Sequence, residues 1–194
     1  NETTKIADKV IFTGTLTQKK GIYSLLEAWN LVKRQNPSVT LHVFGKGPVN
    51  ELKKILGKEA SASVSFYGHV SREKLLDELA TAAVAVFPSY SECFSLAPLE
   101  AMAAGCAVIY TVNSSGPELI ADGENGLLVN PDDVNAIAKA ISRLVENSEF
   151  RESIANAGKR TVSERFDITS SAIQHIIFYN EIIERFKRKN DRVL

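Results

Sequence analysis

Short apolar runs alternate along this chain with segments whose apolar residues recur at helical spacing. The runs are rich in Val, Ile and Phe, and several are apolar throughout, which is typical of parallel strands covered on both faces. We therefore predict a doubly wound, Rossmann-like α/β fold, with a parallel sheet of about six strands, helices on both faces and a C-terminal helical extension. The predicted strands are 10–13, 39–44, 64–67, 83–87, 107–111 and 126–129.

The helical segments between these strands are amphipathic. In the clearest one, apolar residues recur at helical spacing from Val134 to Val145, after the helix-start signal Pro131-Asp132. Trp29 shares the spacing of Ile22, Leu25 and Val32, so we expect it in the core and not on a binding surface.

The composition excludes several classes of protein. The chain has 194 residues, which suits one domain, and its 23 basic and 23 acidic residues balance, unlike a dedicated nucleic-acid-binding protein. No segment reaches the roughly 18 apolar residues that span a bilayer. Both cysteines, Cys93 and Cys106, lie in apolar segments without metal-ligand spacing, so we expect buried thiols in a reducing, cytoplasmic compartment.

Glycines follow several of the predicted strands, at Gly14, Gly45 with Gly47, and Gly68. Any one of them could be a plain strand-to-helix turn. Together they lie along one edge of the sheet, where the carboxyl ends of parallel strands form ligand sites. This edge is therefore where we expect a ligand.

The segment 88–108 is the most informative. The strand ends at Phe87, and a helix is predicted to begin near Leu96. The backbone N–H groups of Ser95, Leu96 and Ala97 would then be unpaired at the positive end of the helix dipole. This arrangement predicts an anion site.

Two carboxylates flank this anion site, Glu92 before the helix and Glu100 in its first turns. Carboxylates repel phosphate but accept hydrogen bonds from hydroxyl groups, so the combination suggests a ligand that carries both phosphate and sugar. Taken alone, Glu100 could instead be an acid that favours the helix N-terminus, and Glu92 a solvated loop residue.

At these residues the sequence resembles the family 4 glycosyltransferases of the GT-B fold, in their C-terminal nucleotide-sugar-binding domain. The resemblance covers residues 10 to about 165. It rests mainly on one motif, in which Glu92 and Glu100 are separated by seven residues and Glu100 is followed by Ala-Met-Ala-Ala-Gly. Further matching motifs are Pro88-Ser89, Gly14 with Lys20-Gly21, Gly45-Lys-Gly47-Pro48, Gly68-His69-Val70, Glu118 with Asp122-Gly123, and Asn125-Gly126.

The resemblance implies a role for each matching residue. Lys20 would contact the donor diphosphate, Glu92 the donor sugar, and Glu100 the ribose. The amides of Leu96 and Ala97, next to Ser95, would hold the diphosphate. The base would lie near the backbone of Val70, with Lys74 nearby, and Gly14 and Thr15 would line the donor site.

Two of these positions depart from the family pattern. Thr15 stands where the family usually has Arg, and Ser95 where it usually has Gly. Because threonine brings no charge, we expect Lys20 to carry more of the attraction for the diphosphate.

The resemblance implies a retaining glycosyltransferase that is independent of metal ions and uses a UDP-sugar or GDP-sugar donor with a polysaccharide, lipid-linked or similar acceptor. We expect a donor-binding domain at 1–166 and a C-terminal helix of the same domain at 167–194 that crosses toward an N-terminal acceptor domain missing here. The chain alone would then be inactive, and peripheral membrane association of the full-length enzyme stays open. The alternatives are a non-catalytic nucleotide-binding module, or an epimerase or phosphorylase of the same fold.

The predicted C-terminal helix carries more apolar residues than one packed face requires. We expect one stripe to pack on this domain, formed by Ala172, Ile176, Tyr179, Ile183 and Phe186. Ile173, Ile177, Phe178 and Ile182 lie beside that stripe, so we expect part of the helix to be exposed or covered by a partner.

Overall fold

The structure, a computed structural model, describes residues 4–190, apart from the side chains of 170, 171 and 187–190. It has six strands, as predicted, although the first begins four residues earlier than expected. The strands are β1 (Ile6–Thr13), β2 (Thr40–Phe44), β3 (Val64–Gly68), β4 (Ala82–Phe87), β5 (Ala107–Thr111) and β6 (Leu127–Val129).

Helices connect the strands throughout the described residues. They are α1 (Ile22–Gln35), α2 (Val49–Leu52), α3 (Lys58–Ala62), α4 (Arg72–Thr81), α5 (Leu96–Ala103), α6 (Gly116–Leu119), α7 (Val134–Glu146), α8 (Ser148–Arg165) and α9 (Ile168–Asn190), with short 3-10 helices at Gln18–Lys20 and Lys53–Ile55. Side-chain caps begin three of them: Ser71 accepts from the N–H of Lys74 at α4, Asp133 from that of Ala136 at α7, and Asn147 from that of Phe150 at α8.

All strand pairs are parallel, and the spatial order is β3-β2-β1-β4-β5-β6. This is the doubly wound Rossmann order that the β–α alternation predicted. The chain reverses its direction of winding between β1 and β4. In doubly wound sheets the ligand site lies at the carboxyl edge of the sheet, near this switch point.

The sheet is covered on both faces. Helices α1 and α7 pack on each other and share one apolar core with the sheet, while α4 and α5 contact each other and strands β1, β4 and β5. Every residue of β4 and β5 is consequently buried. Trp29 lies in this core, fully buried as predicted, and its Nε1 donates to Ser63 Oγ at 3.0 Å.

The two cysteine thiols, both predicted to be buried, differ in their exposure to solvent. Cys106 is buried as expected, and burial raises its pKa to about 11. Cys93 is exposed, so the expectation that it is buried was wrong. Its neighbours are mostly polar, namely Ser91, Glu92 and Ser95 beside Phe94, and it lies in the loop before α5 and not in a buried element.

The described residues divide into two compact units, with the division between Arg160 and Thr161. The first unit contains the whole sheet, and the second contains α9. The predicted domain boundary at 166/167 lies six residues further along, and residues 191–194 lie outside the described part of the chain.

The side chains of α9 are exposed wherever the structure describes them. The expected burial of one stripe is therefore wrong: Ile176 is 60% exposed and Phe186 66%. The flanking side chains are exposed as well: Ile173, Ile177, Phe178 and Ile182.

Candidate functional site

A cleft of about 390 Å³ lies beyond the carboxyl ends of β1, β2 and β3. Three strand-end loops form its walls, so it occupies the edge of the sheet that the glycine pattern indicated. It is lined by Thr13, Gly14, Thr15, Phe44, Gly45, Lys46, Gly68, His69, Val70 and Leu75.

The first two loops of the cleft pack backbone against backbone. Gly14 N–H donates to Phe44 O at 3.0 Å, and Leu16 N–H to Lys46 O at 2.8 Å. A Cβ on Gly45 would lie 1.7 Å from Gly14 O, and the φ of Gly45 is +142°. Only glycine fits there, which explains why the sequence has it at this strand end.

A second cluster lies where the loop after β4 meets the 3-10 helix that follows β1. Lys20 Nζ donates to Glu92 Oε1 at 2.6 Å, and Ser89 Oγ donates to the same oxygen at 2.9 Å. The Glu92 side chain is only 9% exposed and that of Lys20 28%. The two residues predicted as catalytic therefore form a largely buried ion pair, although they are 72 positions apart in the chain.

Gly21 makes the close approach of Lys20 and Glu92 possible. Its φ is +71°, and a Cβ there would lie 1.8 Å from the carbonyl oxygen of Pro88. Beside this contact, Tyr90 N–H donates to Lys19 O at 2.8 Å. The Lys20-Gly21 pair in the sequence thus serves both the charge and the packing of the site.

Helix α5 begins at Leu96, as predicted, with Ser95 as an N-cap whose side chain makes no capping bond. Among the described residues, the backbone N–H groups of Leu96 and Ala97 have no hydrogen-bond acceptor in the protein. Leu96 is 65% exposed, so these amides are accessible from solvent. This helix N-terminus can therefore accept an anion.

Glu100 lies one turn into α5, and its side chain is 29% exposed. Its Oε1 is 3.4 Å from Nη2 of Arg72, in the first turn of α4. The Arg72 side chain is 81% exposed, so this ion pair is weak and is easily exchanged for another hydrogen-bond donor.

The predicted site residues thus fall into three adjoining groups. Gly14, Thr15 and Val70 line the cleft, Lys20 pairs with Glu92, and α5 contributes the rest: Ser95, Leu96, Ala97 and Glu100. Lys74 is an exception, because it is exposed on α4 and the neighbouring Leu75 lines the cleft instead.

The structure adds residues to the site that the sequence analysis did not single out. Lys46 and His69 line the cleft: Lys46 stands at the position of its motif where no residue type is prescribed, and His69 is part of the Gly68-His69-Val70 motif but was assigned no role. Tyr90 anchors the loop that carries Glu92, since its hydroxyl lies 3.1 Å from Ser24 Oγ and donates to Pro131 O at 3.3 Å. A sequence pattern cannot show such contacts, because they join segments that are distant in the chain.

The described residues contain neither a cluster of metal-binding side chains nor a membrane-spanning helix. No three His, Cys, Asp or Glu side chains there converge as metal ligands. None of the helices in that part of the chain is long and apolar enough to cross a membrane.

The fold is that of a Rossmann-like domain of the GT-B type, with free helix amides, two glutamates and a cleft at one edge of the sheet. Residues 3–161 match the family described as Glycosyl transferases group 1, and the chain belongs to that family.

Two similar proteins indicate what share of a related protein this chain covers. It is 30% identical, over 92% of its length, to 46% of an uncharacterized glycosyltransferase of Methanocaldococcus jannaschii. The solved C-terminal domain of a glycosyl transferase group 1 protein from Francisella tularensis has a TM-score of 0.76 and 28% identity, covering 82% of this chain and 86% of that one.

A structure of an Anabaena protein in complex with UDP has a TM-score of 0.81 and 24% identity, covering 90% of this chain and 49% of that one. At this identity the likeness shows the fold alone. The chain spans less than half the length of the curated relatives that it matches.

Proposed function

We propose that this chain binds the nucleoside diphosphate sugar donor, a UDP-sugar or GDP-sugar, of a retaining glycosyltransferase. One observation carries the proposal. The free amides at the start of α5, the Lys20–Glu92 pair and the cleft after β1–β3 lie along one edge of the sheet. A nucleoside diphosphate sugar has the matching parts: a base and ribose, a dianionic diphosphate, and a polyol.

The chemistry of sugar transfer fits this arrangement. Breaking the bond between sugar and phosphate builds negative charge on the departing diphosphate. That charge is stabilised by the N–H groups of Leu96 and Ala97, by the α5 dipole and by the Lys20 ammonium group. We propose that they act without a bound metal ion.

The two carboxylates receive separate roles in this proposal. Glu100 exchanges its exposed partner Arg72 for the ribose hydroxyls. Glu92 accepts hydrogen bonds from the donor sugar, while Lys20 Nζ turns toward the diphosphate. Because Lys20 has three donors, it can contact both the carboxylate and a phosphate oxygen.

The acceptor belongs to a part of the enzyme outside this chain. We propose that a second, N-terminal domain binds a polysaccharide, lipid-linked or similar acceptor and closes over the cleft. The partial coverage of the relatives supports this division. A cytoplasmic location, predicted from the free thiols, belongs to the same proposal.

Titration calorimetry of the 194-residue chain tests donor binding. We expect UDP or GDP to bind with a Kd of about 10 µM to 1 mM, the range of an ordinary exposed nucleotide site, and ADP to bind more weakly. If neither UDP nor GDP binds at millimolar concentration, the proposal is wrong.

Two further measurements on the full-length enzyme separate the remaining possibilities. Transfer of a radiolabelled sugar to an acceptor distinguishes a transferase from an epimerase, a phosphorylase or a non-catalytic module. The anomeric configuration of the product, read by NMR, tests retention.

A further inference from the structure

Ser114, in the loop between β5 and α6, has an unusual backbone conformation. Its φ is +55°, and it is the only non-glycine residue with a positive φ among those the structure describes. A serine in this region is disfavoured, because its Cβ crowds the neighbouring backbone. Such a conformation persists only where the surroundings hold it, and it is common at functional sites.

The ends of this loop are fixed to the sheet and to α6. Val112 N–H donates to Val129 O of β6 at 2.9 Å, and the hydroxyls of Tyr110 and Ser115 lie 3.2 Å apart in the core. The loop therefore forms a rigid support for Asn113 and Ser114.

From this support, two side chains reach the loop that carries Glu92. Ser114 Oγ accepts a hydrogen bond from Glu92 N–H at 3.3 Å, and Asn113 Nδ2 donates to Tyr90 O, also at 3.3 Å. The backbone of Glu92 is thus held from one side by Ser114, while its carboxylate is held from the other by Lys20. Without the hydroxyl of Ser114, the amide of Glu92 would lose its acceptor.

We propose that Ser114 is a positioning residue for Glu92. Its left-handed conformation aims the hydroxyl at the Glu92 amide and sets the direction in which the carboxylate enters the donor-sugar site. The role of Glu92 toward the sugar rests on the proposed function, whereas the positioning itself does not. A substitution that relieves the strain should therefore stabilise the protein and impair the site at the same time.

Two substitutions separate the hydroxyl from the strain. Ser114→Ala removes the hydroxyl and keeps a Cβ in the left-handed region. Ser114→Gly removes both the hydroxyl and the strain, since glycine adopts positive φ freely. We expect Ser114→Gly to raise the thermal midpoint by about 2–4 °C, the shift for relief of roughly 1 kcal/mol in a domain of this size, and Ser114→Ala not to raise it.

The first readout needs no nucleotide. Amide exchange of Glu92, followed by NMR in the 194-residue chain, should become at least about threefold faster in both variants, because the N–H loses its acceptor. The amide of Val112 is the internal control, since its acceptor on β6 is unchanged. Unaltered exchange at Glu92 in both variants overturns the proposal, whatever the chain binds.

The second readout compares the affinities for UDP and UDP-glucose, and for GDP and GDP-mannose. The sugar gain is the ratio of the affinity for the nucleoside diphosphate sugar to that for the bare nucleotide. In both variants we expect this ratio to fall about three- to tenfold, as in Glu92→Gln. The affinity of both variants for the bare nucleotide should equal that of the wild type. A sugar gain equal to that of the wild type in both variants contradicts the positioning role. Failure of the wild type to bind any nucleotide would instead contradict the proposed function.

Discussion

Lys20 and Glu92 neutralise each other across 2.6 Å in a site proposed to bind a dianion. Each charge therefore matters in two ways, through its ligand and through its partner. Removing the lysine deletes an attractive donor and also leaves a mostly buried carboxylate without its cation.

Lys20→Ala should weaken binding of a nucleoside diphosphate by about 1.5–3 kcal/mol, the scale of a hydrogen bond to a charged group. This corresponds to a roughly 10- to 150-fold rise in Kd, measured by calorimetry with UDP or GDP. Lys20→Arg should retain part of the affinity, and Lys54→Ala, at an exposed lysine, is the matched control. Unchanged affinity in Lys20→Ala would remove this residue from the site.

Substitutions of Glu100 and Glu92 should affect different parts of the donor. Glu100→Gln should weaken UDP or GDP binding by about 1–2 kcal/mol, because its proposed partner is the ribose. Glu92→Gln should not weaken bare nucleotide binding, because it leaves the positive charge of Lys20 uncompensated, and it should impair sugar transfer by the full-length enzyme. Glu152→Gln, at an exposed carboxylate on α8, is the control. If Glu92→Gln and Glu100→Gln have the same effect on bare nucleotide, the assigned roles are wrong.

His42 should make the stability of the protein depend on pH. Burial and then the nearby Lys9 ammonium group hold its pKa below the ordinary value of 6.5, although Glu78 opposes the shift. The folded state therefore binds fewer protons than the unfolded state just below pH 6.5, and the free energy of unfolding falls as the pH is lowered through that range. Urea unfolding measures the free energy of unfolding at pH 8 and at pH 5.5. The decrease in this free energy from pH 8 to pH 5.5 should be smaller for His42→Gln than for the wild type. An equal loss in both proteins would show that His42 titrates normally.

At the scale of elements, the N-terminus of α5 and the three strand-end loops form the site, and they all belong to the first unit. Helix α9 belongs to the second unit. Its exposed apolar side chains offer a surface for a partner.

Removal of residues 167–194 should therefore leave nucleotide binding nearly unchanged. We expect the Kd for UDP or GDP to stay within about twofold, a difference of roughly 0.4 kcal/mol. Calorimetry and thermal unfolding of the truncated chain would measure binding and folding separately. A tenfold loss of affinity in a folded truncated chain would assign α9 a direct part in the donor site.

At the scale of the whole molecule, the order β3-β2-β1-β4-β5-β6 puts the proposed donor site at the carboxyl edge of the sheet, around the switch point between β1 and β4. Transfer requires that water be excluded and that an acceptor be brought to the sugar carbon. We propose that the second, N-terminal domain does both.

The 194-residue chain should consequently bind a donor nucleotide but not transfer its sugar. Release of label from UDP-[14C]glucose or GDP-[14C]mannose should stay at background for the chain alone. Protein expressed with the coding region upstream of Asn1 should transfer the label to an acceptor in a lipid and polysaccharide extract. Turnover by the chain alone would contradict the need for a second domain.

The sequence by itself determined the strands, their parallel arrangement and the start of α5. These features follow from local patterns, namely uniformly apolar runs, helical periodicity and the Pro98 that fits only a first helical turn. The spacing of Glu92 and Glu100 placed both carboxylates beside the anion site for the same reason. A residue's secondary structure and its strand-end position depend mostly on its neighbours in the chain.

Only the tertiary structure decided which of these groups touch one another. Four features depend on segments far apart in sequence: the contact of Lys20 with Glu92, the position of Leu75 and not Lys74 at the cleft, the exposure of Cys93, and the strained turn at Ser114. Distances of this kind arise from the crossing of strands and the packing of loops, which leave no periodic trace in the chain. The same limit applies to α9, whose apolar pattern predicts a helix but does not name its partner.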